Sequence, residues 1–239
     1  MSHNHDEITK IEEGVERAFF GRRKGHPLRD GQERLMQDVL PNLRVPDGAL
    51  SNLHALFPIK VKAIWLEIGY GGAEHLLHAA KMYPDIGFIG CEMFQNGIAK
   101  AVNGIVTHGL QNIRLATDDA ALLLSRLPDA ELDQVDLFYP DPWPKRRHRK
   151  RRFVLPERVA EVVRVLKSTG VFRFASDIDD YVAWTLMHVQ NNGDLRWNAR
   201  SQNDWRTPDG AGWPDWTRTR YEAKAYREGR CPTYVTFLR

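Results

Sequence analysis

The chain has 239 residues, 42% hydrophobic and 27% charged, with a formal net charge of +3. That composition suits a soluble globular protein with one large domain or a domain with appendages. Two cysteines make no disulfide scaffold, which points to a reducing cytoplasm; no apolar run approaches the ~18 residues of a membrane span; and the polar start MSHNHDEITK lacks the apolar core of a signal peptide.

Residues 1–60 carry no strong periodicity. Phe19-Phe20-Gly21-Arg22-Arg23-Lys24-Gly25 reads as an arm with a basic patch, to which Arg29 and Arg34 add. Such an arm suits either contact with nucleic acid or an edge-packed extension. A short helix is predicted over Gln32–Leu40, and Pro41, Pro46, Gly48 and Pro58 interrupt the stretch up to residue 60.

From Ala63 the pattern becomes strand-helix alternation. Strands are predicted over Ala63–Ile68, Ile86–Cys91, Ile113–Ala116, Gln134–Tyr139 and Gly170–Ala175. Between them, Leu76, Leu77 and Ala80, then Ile98, Ala101, Val102 and Ile105, then Val159, Val162, Val163 and Leu166, fall at helical spacing. Further helices are predicted over Ala120–Leu127 and Tyr181–Val189, and Pro156 stands near a helix start. The implied fold is α/β, a parallel sheet covered on both faces by helices. Ligands in such sheets bind outside the carboxyl ends of the strands. Gly69, Glu92, Asp119, Asp141 and Asp177 all fall at such ends and define one rim.

Residues 190–220 break the alternation. Trp197, Trp205, Trp213 and Trp216 lie among Asn, Asp, Gly and Pro, and packing under a long loop is the expected role for most of them. Two closing strands are predicted, Tyr221–Arg227 and Thr233–Leu238, around a turn at Gly229.

The chemistry concentrates between Phe138 and Arg152, FYPDPWPKRRHRKRR. A strand end delivers Asp141, two prolines stiffen the loop around Trp143, and Lys145–Arg152 holds seven cations in eight residues. Subtracting those seven from the net +3 leaves −4, so the positive charge is concentrated at one place and favours a polyanionic partner. Upstream, Gly69 and Gly71 let the backbone approach a ligand closely. A dinucleotide pattern G-x-G-x-x-G would need a third glycine at Glu74, which disfavours a nicotinamide or flavin. Glu92 is placed to accept from the hydroxyls of a ribose, and Asp119 to reach an adenine amino group or to cap a helix. No metal-ligand cluster is apparent.

The strings LEIGYG (66–71), GCE (90–92), N-x-R-x-x-x-x-D-A (112–120), FYPDPWPKRRHRKRR (138–152), SD (176–177) and TRYE (219–222) resemble the bacterial tRNA (guanine-N7)-methyltransferase family, from about residue 60 to the C-terminus. That resemblance implies a Rossmann-like class I methyltransferase, with a mostly parallel twisted sheet, helices on both faces and an antiparallel C-terminal strand. It also implies methyl transfer from S-adenosylmethionine to N7 of guanine 46 in the variable loop of tRNA, leaving S-adenosylhomocysteine. Residues 1–60 would be an N-terminal basic extension and 61–239 the methyltransferase domain. Glu67, Gly69, Gly71, Glu92, Asp119 and Asp141 would form the cofactor region, with Asp141 as the candidate catalytic residue. Lys145, Asp177, Thr219, Arg220, Tyr221 and Glu222 would hold the substrate. Arg147, His148, Arg149, Lys150, Arg151 and Arg152 would meet the tRNA. The family's G-x-G-x-G loop has Ala73 at its third position here. No metal, membrane or obligate protein partner is implied, and the chain would act as a monomer or homodimer. The competing readings are an adenine-N6 or protein-amide methyltransferase using the same Asp-Pro-Trp loop, and an RNA-binding protein without activity on a degenerate methyltransferase fold.

Overall fold

A computed structural model of the chain describes residues 10–12 and 15–239. The polar stretch 1–9, on which the expectation about a signal peptide rests, lies outside the described residues. Strands β1 (Lys10–Glu12) and β2 (Val15–Glu16) pair as a small antiparallel ribbon. Helix α1 (Asp30–Asp38) begins two residues before the expected Gln32, and Pro41 sits in the first turn of α2 (Leu40–Leu43), where a missing N–H costs nothing. The alternation continues as β3 (Ala63–Ile68), α3 (Glu74–Met82), β4 (Ile86–Cys91), α4 (Gln95–His108), β5 (Ile113–Ala116), α5 (Ala120–Arg126), β6 (Leu132–Phe138), α6 (Pro156–Val165), β7 (Leu166–Ser176) and α7 (Asp179–Asn192). The chain closes with β8 (Arg196–Trp197), α8 (Asn203–Arg206), α9 (Arg220–Arg227) and β9 (Thr233–Leu238).

Seven strands form one sheet in the order β5-β4-β3-β6-β7-β9-β8. Strands β3 to β7 pair in parallel, and β9 runs antiparallel between β7 and β8. The order reverses between β3 and β6, the switch point at which ligands bind in open sheets of this kind. Register fixes the chemistry there, since Glu67 lies beside Gly90 of β4 and Asp136 of β6. Strand β4 is buried along its whole length, as expected of a strand covered on both faces.

Two apolar clusters fill the space between sheet and helices. Part of the segment expected as an extension belongs to them: Leu40 and Leu43 join one cluster, Val45, Leu53 and Phe57 the other. The amide of Val45 bonds Leu115 O at 2.9 Å, so this segment also covers the exposed edge of β5.

One expected element is wrong in type. The spacing predicts a strand over Tyr221–Arg227, where the structure has the helix α9. Its alternating YEAKAY imitates a strand, but Thr219 accepts from the amide of Glu222 and caps the helix, and this Thr-x-x-Glu start outweighs the two-residue period. The Trp-rich stretch supplies the short elements β8 and α8, and Trp213 is 1% exposed in the core, as the packing reading requires.

Candidate active site

A cavity of about 370 Å³ opens at the switch point, within the range of small-molecule sites. Gly69 and Gly71 from the β3 turn, Glu92 from the end of β4, and Tyr139 and Asp141 after β6 stand on its wall. Gly69 and Gly71 take φ of +73° and +55°, and a Cβ added at Gly69 would meet only open space, which leaves the backbone bare toward the cavity. Ala73 shares the left-handed conformation, with φ 63°. Its methyl is fully buried in the core and is not on the cavity wall, so the departure from the third glycine does not narrow the site.

Glu92 ties the glycine turn to β4. One carboxylate oxygen accepts from the amide of Gly71 at 2.9 Å, and the other from Met93 and Phe94 at 2.8 and 2.9 Å. A carboxylate has about four lone-pair sites, so acceptor capacity remains for a ligand. Burial pushes its pKa up, the three amides oppose that, and the Asp141 charge adds to it. Asp141 stands at the cavity mouth, and partial burial raises its carboxyl above the usual range. It accepts no hydrogen bond from the other described residues. Two carboxylates with raised pKa on one cavity favour a cationic ligand between them.

Three other expected acids are engaged elsewhere. Glu67 is buried behind the wall, with its Oε2 2.8 Å from His75 Nδ1. Asp119 caps α5 through the amide of Ala121 at 2.9 Å and also accepts from the amides of Ala18 and Phe19. Its neighbour Asp118 lines the cavity instead. Asp177 pairs with Arg230 at 2.6 Å. Strand-end position alone does not say which way an acid points, and here the pull of capping and pairing decides it.

The loop after β6 holds Tyr139 and Trp143 in left-handed conformations, φ 50° and 41°, on either side of Asp141. Such non-glycine geometry costs of order 1–3 kcal/mol each and clusters at functional sites. The basic segment forms a 3-10 helix over Arg146–Arg151, and its cations divide in two. Arg152 is 1% exposed and bonds Pro142 O at 2.8 Å and the Asp180 carboxylate, so it is withdrawn from the RNA-facing set. Arg149 pairs with Asp180 at 2.7 Å, and Arg151 lies 5.0 Å over the Trp143 ring. His148 meets Trp143 edge-on. Lys145, Arg146, Arg147 and Lys150 point outward.

The C-terminal set is split in the same way. Thr219 caps α9, and Glu222 is buried, accepting from Trp216 Nε1 and Tyr234 OH. Arg220 and Tyr221 line the cavity. Arg220 crosses Gly72, where any Cβ would collide with it, and pairs with Glu74 at 2.8 Å. Tyr221 packs over Gly71 and is 45% exposed, and its ring lies nearly parallel to Tyr139, 20° and 6.5 Å between centroids.

Three features of the site escape a reading of the sequence. Tyr139 looks there like no more than the last residue of a strand. Phe19, Phe20 and Gly21 of the arm reach the cavity, with Phe20 edge-on to Trp143. His75 binds the buried acids. Only the Phe-Phe pair in a polar arm gives a signal. Among the described residues no group of His, Cys, Asp and Glu is placed to hold a metal, and no helix is long and apolar enough to cross a membrane.

Comparison with known proteins bears on this site. Residues 61–233 match a protein-family model described as "Putative methyltransferase". A tRNA (guanine-N(7)-)-methyltransferase of Agrobacterium fabrum is 51% identical over 224 residues, covering 93% of this chain and 95% of that protein. Its counterpart in Azorhizobium caulinodans is 52% identical over 222 residues, again 93% of this chain and 95% of that one. Among solved structures, a precorrin-6y C5,15-methyltransferase from Geobacter metallireducens superimposes with a TM-score of 0.51 at 15% identity, over 81% of this chain and 94% of that one. That likeness concerns the fold alone, which is the Rossmann-like fold of class I methyltransferases.

Proposed function

Because the chain belongs to the tRNA (guanine-N(7)-)-methyltransferase family, we propose that it methylates N7 of a tRNA guanine from S-adenosylmethionine, and that the guanine is position 46 of the variable loop. The observation that carries the reading is the meeting, on one cavity, of the glycine turn, Glu92, the unpartnered Asp141 and the Tyr139–Tyr221 pair. When bound, S-adenosylmethionine supplies a methyl group activated on a sulfonium. The cavity suits that cation: two carboxylates face it, and its floor is backbone free of side chains at Gly69. Glu92 accepts from a ribose hydroxyl with the one lone-pair site its three amides leave over.

N7 of guanine carries a lone pair and no proton to lose, so the protein's task is alignment and exclusion of water rather than strong base catalysis. Asp141 receives the guanine edge, where N1–H and the 2-amino group are adjacent donors. Adenine offers no such pair, so a free carboxylate also discriminates between the bases. Tyr221, with Tyr139 beside it, gives the base an aromatic face, worth roughly 1–3 kcal/mol per stacked base. Trp143, with Arg151 over its ring, braces the loop instead. Lys145, Arg146, Arg147 and Lys150 meet the phosphate backbone, supported from below by Arg149 and Arg152. In this reading Glu67 and Asp119 act on the cofactor indirectly, by holding the glycine turn and the arm that borders the cavity. The methyltransferase domain is residues 61–239, with residues 1–60 an extension whose part from Leu40 to Phe57 docks on it.

The test is incubation of tRNA with the protein and methyl-labelled S-adenosylmethionine, then nucleoside analysis. Label in 7-methylguanosine is expected. Methyl-adenine, or label on protein only, would assign the Asp-Pro-Trp loop to an amino- or amide-methylating site.

A further inference from the structure

Five ionisable side chains lie buried behind the cavity wall, each at most 6% exposed: Glu67, His75, Asp136, Arg173 and Asp215. They come from five different segments, β3, α3, β6, β7 and the loop before α9. His75 bridges two of them, with Nδ1 2.8 Å from Glu67 Oε2 and Nε2 3.1 Å from Asp215 Oδ2. Only an imidazolium donates from both ring nitrogens. Arg173 grips Asp215 at 2.7 and 2.9 Å and Asp136 through two further bonds of 2.7 Å. Arg173 thus faces two carboxylates, and His75 supplies the second positive charge between Asp215 and Glu67, whose carboxyl burial raises and the His75 charge pulls back down. Burial opposes that charge, but Glu67 and Asp215 outweigh it and push the His75 pKa up to about 9.

The cluster lies between the two sides of the site. Glu67 is two residues before Gly69, and His75 stands in the first turn of the helix that leaves the glycine turn. Asp215 is four residues before Thr219, the cap of the helix that carries Tyr221. The His75 ring also meets Phe138, the neighbour of Tyr139, edge-on at 4.8 Å. His75 itself is not on the cavity wall.

We propose that His75 is a positioning residue: as an imidazolium it clamps the loop that carries Tyr221 to the glycine-rich turn, and so holds the base-facing wall in register with the donor-facing wall. This rests on the reading of those walls given under Proposed function. The groups that set its protonation are Glu67 from β3, Asp215 from the loop before α9 and Arg173 from β7, and Asp136 of β6 lies beyond them on the far side of Arg173. Phe138 and Trp216, which also touch the ring, carry no charge.

The experiment is steady-state methylation of tRNA at saturating substrates from about pH 6.5 to 10, for the wild type, His75→Gln and Asp215→Asn. Calorimetry of S-adenosylhomocysteine binding and thermal unfolding accompany it. For His75→Gln, kcat should fall by about tenfold or more, since a misplacement of ~1 Å can cost about a hundredfold. Product-nucleoside affinity should stay within about threefold, because the bond from the Gly71 amide to Glu92 still holds the glycine turn when the tie through Glu67 is lost. Wild-type kcat should decline above about pH 9 as His75 loses its proton, and His75→Gln should lack that limb. In Asp215→Asn the limb should move to lower pH, because a carboxylate that holds the proton is gone. A packing role would lower the melting temperature of both variants and leave the limb in place. If His75→Gln does not fold, the limb in Asp215→Asn decides alone. Wild-type kcat in folded His75→Gln, or an unmoved limb in Asp215→Asn, would overturn the proposal. Absence of guanine methylation by the wild type at every pH would instead overturn the functional reading beneath it.

Discussion

The molecule concentrates charge in two regions that behave oppositely. Lys145–Arg152 packs seven cations into eight consecutive residues, and four of them face solvent. The cluster of Glu67, His75, Asp136, Arg173 and Asp215 is drawn from five separate segments and is almost wholly buried. Charge dense in sequence marks a surface, because like charges side by side cannot all be desolvated. Charge dense in space but scattered in sequence alternates in sign and survives burial only through complete pairing. On the proposed function, the first region meets the tRNA and the second holds the site that faces it.

The comparison breaks most sharply at Arg173. Arg173→Met leaves Asp136 and Asp215 buried against each other's charge, and the expected loss is roughly 3–5 kcal/mol of stability in urea unfolding. A loss under about 1 kcal/mol would show that water or proton uptake relieves the cluster.

The cluster should also make stability depend on pH. His75 has an ordinary value of 6.5 and a folded value near 9. A group whose pKa is raised on folding stabilises fully below its unfolded pKa and loses that contribution as pH rises through the folded one. Stability should therefore fall by about 3 kcal/mol between about pH 6.5 and 9. His75→Gln should flatten that decline.

Arg152 sharpens the contrast, since it sits in the basic run yet behaves as a member of the interior. Arg152→Ala frees Pro142 O and one side of Asp180, and should cost about 1–3 kcal/mol in thermal or urea unfolding. The smallest stability effect belongs to the outward set. Replacing Lys145, Arg146, Arg147 and Lys150 by Ala should change stability by about 0.5 kcal/mol or less per site. The same variant should flatten the log–log salt dependence of tRNA binding, by up to about 0.7 to 0.9 for each phosphate no longer neutralised. An unaltered salt slope would make the outward cations a solvated face only.

Much of the fold is legible because apolar runs such as AIWLEI and IGFIGC, separated by helical stripes, leave little alternative to a parallel sheet. The rim of strand ends comes with that sheet. Where the sequence misleads, a local signal is outweighed by a neighbour. The two-residue period of Tyr221–Tyr226 loses to a helix cap at Thr219. The strand-end acids Glu67 and Asp119 turn to His75 and to backbone amides. His75 is invisible, being one polar residue in a short helix whose partners lie 8 and 140 positions away. Arg152 passes for an RNA-facing residue because a basic run gives no sign of which member turns inward.

The measurement that bears most directly on the account uses the chemistry of the product. Methylation at N7 fixes a positive charge on the guanine imidazole ring, which opens the ring to borohydride, and aniline then breaks the RNA chain at that site. Unmodified tRNA should be treated with the protein and S-adenosylmethionine and then with borohydride and aniline, beside a parallel sample with Asp141→Ala. The account predicts cleavage at one guanine, position 46 of the variable loop, and none with Asp141→Ala, although that variant still binds tRNA through its outward cations. Intact tRNA from the wild-type reaction, or undiminished cleavage with Asp141→Ala, would contradict it.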